Sequence, residues 1–508
     1  MNSVASKVSL VKTTQLDRRS FLTAASASAA YALLPDFALG RSRRFLVSNR
    51  AEPIRIRGRV VAAGRGLSGV AVTDGLTIVD TDADGAFDLP SSADRSFVYI
   101  SLPSGYRIPR NPTGTARFYE PITADVRRSS EVLFQLEPLS DSDERHALLL
   151  LADVQTQDLD EARWFHEQTV SDLRAVVAEL DREVFGAACG DIMYDHLELY
   201  PEYEDGVRQV DIPFFQVLGN HDMDYSSPTD RESHRTFSRH FGPPYYSFNR
   251  GAVHYVVLDD VFWHGVGYFG YLTHEQLIWL AADLDRVEPG SPVIVALHIP
   301  VLGSRHLREG RRTPDPGISV TNRAALYELL QPFDAHILAG HTHESEHVFE
   351  SGVHEHVSGA VCGAWWSGPI CGDGTPSGYS VYEIAGETVT WRYKATGHPF
   401  DHQIRMYPRG ADPGAPDEMV ANIWDWDPAW SVVWYEDGER KGAMSRRVGF
   451  DPLSVELHSG PDLPERRPWV EPLLTGHLFY APVSVGTRRA AVEATDRFGR
   501  VYSAELEL

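Results

Sequence analysis

Five short blocks of this 508-residue chain combine acids, amides and imidazoles at spacings that could hold metal ions. In order they are Asp153-x-Gln155, Gly190-Asp191, Gly219-Asn220-His221-Asp222, the lone His298, and Gly340-His341-Thr342-His343. Carboxylate oxygen, amide oxygen and imidazole nitrogen are donors that hard and borderline divalent ions accept. Two such ions about 3.5–4 Å apart can clamp a phosphate group and generate hydroxide at neutral pH. One block alone is weak evidence, since Gly-Asn-His-Asp is a loop more often than a site. Five in succession, at the ends of apolar runs, point to a single site.

Those apolar runs are the elements that must position the blocks. "HALLLLAD", "EVFGAACGD", "IPFFQVLGN", "VHYVVLD", "PVIVALH" and "AHILAGH" read as buried strands, and five of the six run straight into a block. Helical segments lie between them. Residues 160–183 read as one helix, and "LTHEQLIWLAADLDRV" reads as another, with Thr273 and Gln276 as a capping box. Strands alternating with helices predict an α/β sandwich over residues 145–395. Ligands in open α/β sheets bind beyond the carboxyl ends of the strands, where these blocks fall.

The flanks differ in character. Residues 53–137 alternate short β-branched runs with Gly and Asp turns and predict a separate β domain. Its "DTDADG" lacks the remaining ligands of a calcium loop and reads as a plain turn. Residues 400–508 predict a mainly-β accessory domain, with hairpins turning at Glu436-Asp437-Gly438 and Phe498-Gly499. At the N-terminus, Arg18-Arg19 followed by an apolar run and Ala38-Leu39-Gly40 resembles a twin-arginine export signal over residues 1–40. The run from Phe21 to Leu34 is too short for a bilayer span, which takes roughly 20 residues. The implied destination is periplasmic or extracellular, by way of the twin-arginine export machinery.

The formal net charge of −24 argues against nucleic acid or anionic lipid as partner, since both need a basic face. It also means that binding an anionic phosphate requires local positive charge, for which bound metal is the usual source. Three cysteines do not make a disulfide framework. Cys362 and Cys371 could pair in an oxidising compartment, and Cys189 reads as a small buried residue.

The five blocks, in this order, resemble the metal-binding blocks of calcineurin-like metallophosphoesterases. "FGPPYYSFNRGAVHYVVLDD", "EQLIWLAADL" and "GAVCGAWWSGPICGDGTPSGY" extend the resemblance to an exported subgroup with an N-terminal transthyretin-like domain and its own C-terminal domain. The resemblance implies a metallophosphoesterase β-sandwich core flanked by helices, with a β-sandwich before it and a mainly-β domain after it. It implies two divalent metal ions, with Asp191 bridging them. Asp153 and His343 would complete one site, and Asn220, His298 and His341 the other. His221 matches the position that contacts phosphate and assists the leaving group, with the adjacent Asp222 as a carboxylate partner.

The first block departs from the family, which usually has Asp-x-His there. Gln155 could ligate through its amide oxygen or hydrogen-bond a metal-bound water. A third account involves Tyr194, three residues after Asp191, a spacing at which purple acid phosphatases place a ferric-iron ligand. Tyr194 reads either as a ligand or as a packed wall residue. An oxygen-rich first site favours manganese or iron, with zinc or magnesium as alternatives. Arg305, Arg308, Arg311 and Arg312 form a basic loop after His298 that could bind an anionic substrate or lie in solvent. Trp365 and Trp366 could stack on a sugar or base, or pack at the rim. His354 and His356 alternate on a strand and read as structural.

Together these features predict an exported phosphoric ester hydrolase acting on a small-molecule or glycan phosphodiester or phosphomonoester. The alternative is a non-catalytic glycan- or envelope-binding protein on the same fold.

Overall fold

In the strand Arg145–Leu151 four consecutive leucines are buried, two on each face. Leu148 and Leu150 point into the core between two sheets, and Leu149 and Leu151 point to the helices outside. Such continuous apolarity marks a strand covered on both faces, as parallel sheets require. Truncating one of these leucines to Ala would cost about 2–5 kcal/mol.

This strand is the middle of a five-stranded sheet in a computed structural model that describes residues 52–128 and 131–508. The sheet order is Phe214–Val217, Glu183–Cys189, Arg145–Leu151, Gly378–Ala385, Thr388–Ala395. The first three strands are parallel, and the last two add in antiparallel fashion. The facing sheet has six strands, in the order Tyr246–Arg250, Val253–Val257, Pro292–Ala296, Asp334–Ala339, Val353–Val357, Glu346–Glu350. Its four central strands are parallel. Phe185, Phe215, Phe248 and Tyr255 interlock between the sheets, with Phe215 and Phe248 stacked at 3.9 Å. Helices His274–Leu284 and Arg323–Leu330 cover the outer face of the six-stranded sheet through Trp279, Leu280, Leu326 and Leu330.

The flanking regions are β-rich. Strands between Pro53 and Leu136 form two four-stranded sheets, and Phe118 packs from there onto Phe215 and Tyr246 of the sandwich. Strands between Arg405 and Glu507 form two more four-stranded sheets around Trp430, Trp434, Phe479 and Val492. The architecture is thus a mixed α/β sandwich between two β-rich regions. Among the described residues, no helix is long and apolar enough to cross a membrane. The export signal expected at residues 1–40 lies outside the described residues.

Two local expectations are corrected. The single helix expected over 160–183 is Leu159–Trp164, a π-helical turn at Phe165–Val170, then Ser171–Glu179. It stops there because Leu180 is extended and Glu183 already pairs with His146 in the sheet. At Thr273 only half of the capping box forms. Its hydroxyl accepts from Gln276 N, but the Gln276 amide turns instead to the backbone of Asp259, at 2.9 and 2.7 Å.

Candidate metal centre

Five parallel strands deliver their following loops to the same end of the sandwich. Arg145–Leu151 leads to Asp153 and Gln155, Glu183–Cys189 to Asp191, and Phe214–Val217 to Asn220 and His221. Pro292–Ala296 leads to His298, and Asp334–Ala339 to His341 and His343. The backbone turns sharply as it leaves each strand. Asp153, Gln155, Asp191, His341 and His343 all have φ between 45° and 70°. Non-glycine residues in that region carry strain of order 1–3 kcal/mol each and concentrate at functional sites. Two glycines allow the loops to close on one another. A Cβ on Gly190 would lie 2.2 Å from His298 Nδ1, and one on Gly219 would lie 1.9 Å from Asp191 N.

The donors form two groups. In the first, Asp153 Oδ1 and His343 Nε2 face each other at 3.4 Å, both buried and without a hydrogen-bond partner. A buried polar atom left unpaired costs about 1–3 kcal/mol. Two ligands at ~2.1 Å from one ion stand about 3–3.4 Å apart, so a divalent ion fits between them. In the second, Asp191, His298 and His341 gather their ligand atoms within 4.8 Å of one another. His298 Nε2 is 3.2 Å from Asp191 Oδ1, 3.1 Å from Asn220 Oδ1 and 3.2 Å from His341 Nδ1.

Each imidazole is aimed by a backbone carbonyl on its other nitrogen. His298 Nδ1 meets Cys189 O at 2.9 Å, His341 Nε2 meets Gly317 O at 2.9 Å, and His343 Nδ1 meets Gly363 O at 2.7 Å. That contact fixes the tautomer and turns the remaining lone pair to the centre. Backbone amides hold the carboxylates likewise: His341 N donates to Asp153 Oδ2 and His221 N to Asp191 Oδ1, both at 2.8 Å. The residues present therefore fit a pair of divalent ions. Burial alone would raise Asp191, but His298, His221 and His341 outweigh it and hold the carboxyl far below its ordinary range. His298 is correspondingly raised to about 10, with Asp191 and Asp153 overcoming the effect of burial.

Gln155 lies against Asp191. Its Nε2 donates to Asp191 Oδ2 at 2.7 Å, and its Oε1 faces the Cys362 thiol at 3.8 Å. The amide thus orients Asp191. Cys362 and Cys371 are both free and buried, so the pairing considered from the sequence is not present. Cys189 is buried, with its thiol on Leu297 O.

His221 sits at the mouth of the centre, with Nε2 4.0 Å from Asp191 Oδ2. Its carboxylate partner is Asp195, at 2.6 Å from Nδ1, and this corrects the assignment of Asp222. Asp222 turns inward and accepts from the amides of Ile192, Met193 and Gly219 and from the Tyr200 hydroxyl. It locks two site loops together, and burial followed by the charge of Asp191 raises its pKa. Burial would lower His221, but Asp191 and Asp195 raise it above the ordinary histidine range. Tyr225 adds a support the sequence did not mark, donating to Asn220 O at 2.7 Å.

Tyr194 stacks on the His221 ring at 4.5 Å, with the Arg467 guanidinium 5.4 Å from its own ring centre. It forms a wall of the site in this arrangement. Trp365 stacks on His343 at 4.1 Å and meets Trp469 at 5.0 Å. Trp366 donates its indole N–H to Val154 O and packs near Trp164. The arginine loop divides. Arg308 is buried and paired with Glu344 and Glu346, and Arg305 lies 3.3 Å from Glu344, so these two hold the loop in place. Arg311 pairs with Glu309 and Asp315, and Arg311 and Arg312 are exposed.

The C-terminal region contributes a segment that sequence reasoning missed. Arg467 binds the buried Glu161 through both guanidinium nitrogens, at 2.6 and 3.1 Å, and Gln157 at 3.0 Å. Trp469 follows it at the rim and is 55% exposed. No local pattern in "PERRPWV" marks this role, because its partners lie some 300 positions away.

Three family models match the chain. The N terminal of calcineurin-like phosphoesterase covers residues 54–139, calcineurin-like phosphoesterase 146–345, and the C terminal of calcineurin-like phosphoesterase 355–502. No curated protein matches the sequence. Similar solved structures include a dimetal phosphatase from Danio rerio, at 16% identity and TM-score 0.35, over 49% of this chain and 96% of that one. A purple acid phosphatase from yellow lupin (Lupinus luteus) seeds is 14% identical with TM-score 0.33, over 77% of this chain and 68% of that one. A 5'-nucleotidase precursor from Thermus thermophilus is 11% identical with TM-score 0.30, over 50% of this chain and 54% of that one. The chain thus carries the N-terminal, catalytic and C-terminal domains of a calcineurin-like phosphoesterase.

Proposed function

We propose that this chain is an exported, dinuclear-metal-dependent hydrolase of a small phosphodiester or sugar phosphate. The observation that carries the hydrolase reading is the pair Asp153 Oδ1 and His343 Nε2, buried, unpartnered and 3.4 Å apart, beside the Asp191, His298 and His341 cluster. Two divalent ions held there supply Lewis-acid activation of water and of the phosphoryl oxygens. Manganese or iron suits the first site, where two carboxylates stand with one imidazole.

The protein's own groups supply the rest. Asp191 would be shared between the two ions, and Gln155 and the His221 amide fix its two oxygens. With Nδ1 held by Asp195, His221 presents Nε2 to the centre, where it can hold the proton that the leaving oxygen takes up. Trp365 and Trp469 line the rim from the side of His343 and offer an aromatic surface to a sugar or base. Export rests on the Arg18-Arg19 pattern of the N-terminal sequence.

A substrate panel tests the reading. Bis-p-nitrophenyl phosphate and p-nitrophenyl phosphate are offered to the full chain with and without manganese, alongside sugar phosphates. Metal-dependent release of p-nitrophenol, faster from the diester, is expected. No turnover of any phosphoester by metal-loaded protein would leave a binding protein on this fold.

A further inference from the structure

A second imidazole cluster stands at the opposite end of the strand that delivers His341. His336 lies near the start of Asp334–Ala339, about 16 Å from the loop at ~3.3 Å per residue. Strand register builds the cluster. His336 pairs with His354 across the parallel ladder, and His347 pairs with His356 across the antiparallel one. His354 and His356 are two apart on one strand, so all four rings share one face of the sheet. His336, His354 and His356 are 8%, 7% and 2% exposed. Each offers a ligand atom, and the three atoms lie within 4.8 Å of one another.

Hydrogen bonding among the rings does not satisfy them. His336 Nδ1 is 3.0 Å from His356 Nε2, and His347 Nδ1 is 3.1 Å from His354 Nε2. His356 Nδ1 is buried with no partner. His347 is also oriented from outside the sheet. Its Nε2 meets Asp425 Oδ1 at 3.0 Å, and the other Asp425 oxygen accepts from Tyr393 N. A carboxylate on one imidazole nitrogen, with the lone pair of the other turned inward, is the arrangement that supports metal-bound histidines. Trp391 closes the cluster edge-on, with ring centres 4.6–5.8 Å from His356, His354 and His336. The nearby cation Arg497 is neutralised by Asp427 at 2.7 Å.

We infer that His336, His354 and His356, with His347 held by Asp425 as fourth ligand, form a metal site separate from the dinuclear centre. An all-nitrogen set selects zinc or a similar borderline ion over manganese or magnesium. Neighbouring ligand nitrogens on tetrahedral zinc stand about 3.3 Å apart, close to the 3.0 Å of the His336–His356 pair and the 3.1 Å of the His347–His354 pair. The ion would fasten the hairpin Glu346–Val357 to the strand Asp334–Ala339 and, through Asp425, to the C-terminal region.

The full chain is stripped with a chelator, reloaded with zinc alone and crystallised, and anomalous scattering is compared on either side of the zinc edge. A peak bounded by His336, His354 and His356 is expected, whether or not the protein hydrolyses phosphoesters. Peaks confined to Asp153, Asp191 and their neighbours would overturn the site. His356→Gln should bind one zinc fewer per chain than the unaltered protein and keep its hydrolytic rate. An unchanged zinc count in that variant would also overturn the site, and if the variant fails to fold, the map of the unaltered protein decides.

Discussion

Asp195 Oδ1 lies 2.6 Å from His221 Nδ1, while Asp222, next to His221 in sequence, faces away into the loop backbone. The two carboxylates therefore fail differently when neutralised. Asp195→Asn should fold normally, keep both metals and lose about 10- to 100-fold in kcat, the range for a group that orients a ligand or acid. His221→Ala should lose ~10²–10⁴ with its metals intact. Asp222→Asn should instead lower Tm, since it replaces a buried acceptor of three backbone N–H groups. Turnover, metal content and Tm on the three variants separate the roles. A normal rate in Asp195→Asn with a crippled Asp222→Asn of unchanged Tm would reverse the assignment.

Gln155 acts on the first site through Asp191. Gln155→Ala removes the 2.7 Å donor to Asp191 and should weaken metal binding by ~10–100-fold. Gln155→His adds a nitrogen donor and should shift preference from manganese or iron toward zinc. Competitive loading followed by elemental analysis measures both. Zinc filling the first site of the unaltered protein at full activity, with no change of metal in Gln155→His, would remove this account.

The arginines of the loop after His298 should divide along the line of their burial. Arg308→Ala leaves Glu346 without its cation and the buried Glu344 with Arg305 alone, and should cost about 3–5 kcal/mol of stability. Arg311 and Arg312, changed together to Ala, should leave Tm within about a degree or two, as exposed substitutions do. If they meet an anionic substrate, KM rises more than kcat falls. Thermal melts and steady-state kinetics on the physiological substrate give both readings, and equal Tm losses would contradict the division.

Trp469 is the most exposed member of the aromatic rim. Trp469→Ala should raise KM for a substrate carrying an aromatic or sugar group by ~3- to 10-fold and leave kcat in place, since stacking contributes about 0.5–1.5 kcal/mol. Inorganic-like substrates with no such group should be unaffected. An equal loss on both kinds of substrate would make the rim structural.

The sequence was most legible where chemistry forces position. Side chains that meet at one site from separate strands have to stand at strand ends, so the convergence of Asp153, Asp191, Asn220, His298, His341 and His343 could be expected from apolar runs that stop at polar blocks. The alternation of His354 and His356 gave one face of a strand. What it did not give was register, and register is what brings His336 and His347 to that face. Asp195 stood in view four residues after Asp191. Its pairing with His221 depends on the curl of that loop, where Asp191 and Asp195 both adopt positive φ. Arg467 and Trp469 come from another region altogether, and only the packed structure places them at the rim. The amide of Gln155 had several possible partners, and its direction follows from a backbone turn at φ 45° that no residue type announces.

The central claim is that a metal pair bridged by Asp191 performs phosphoester hydrolysis. Metal content and hydrolysis of bis-p-nitrophenyl phosphate are measured together for the unaltered chain and Asp191→Asn, before and after chelation and return of manganese. The account predicts about two ions per chain, activity that vanishes on chelation and returns with metal, and a folded Asp191→Asn that loses both metal and most of its rate. Undiminished hydrolysis by Asp191→Asn, or by the chelated protein, would contradict it.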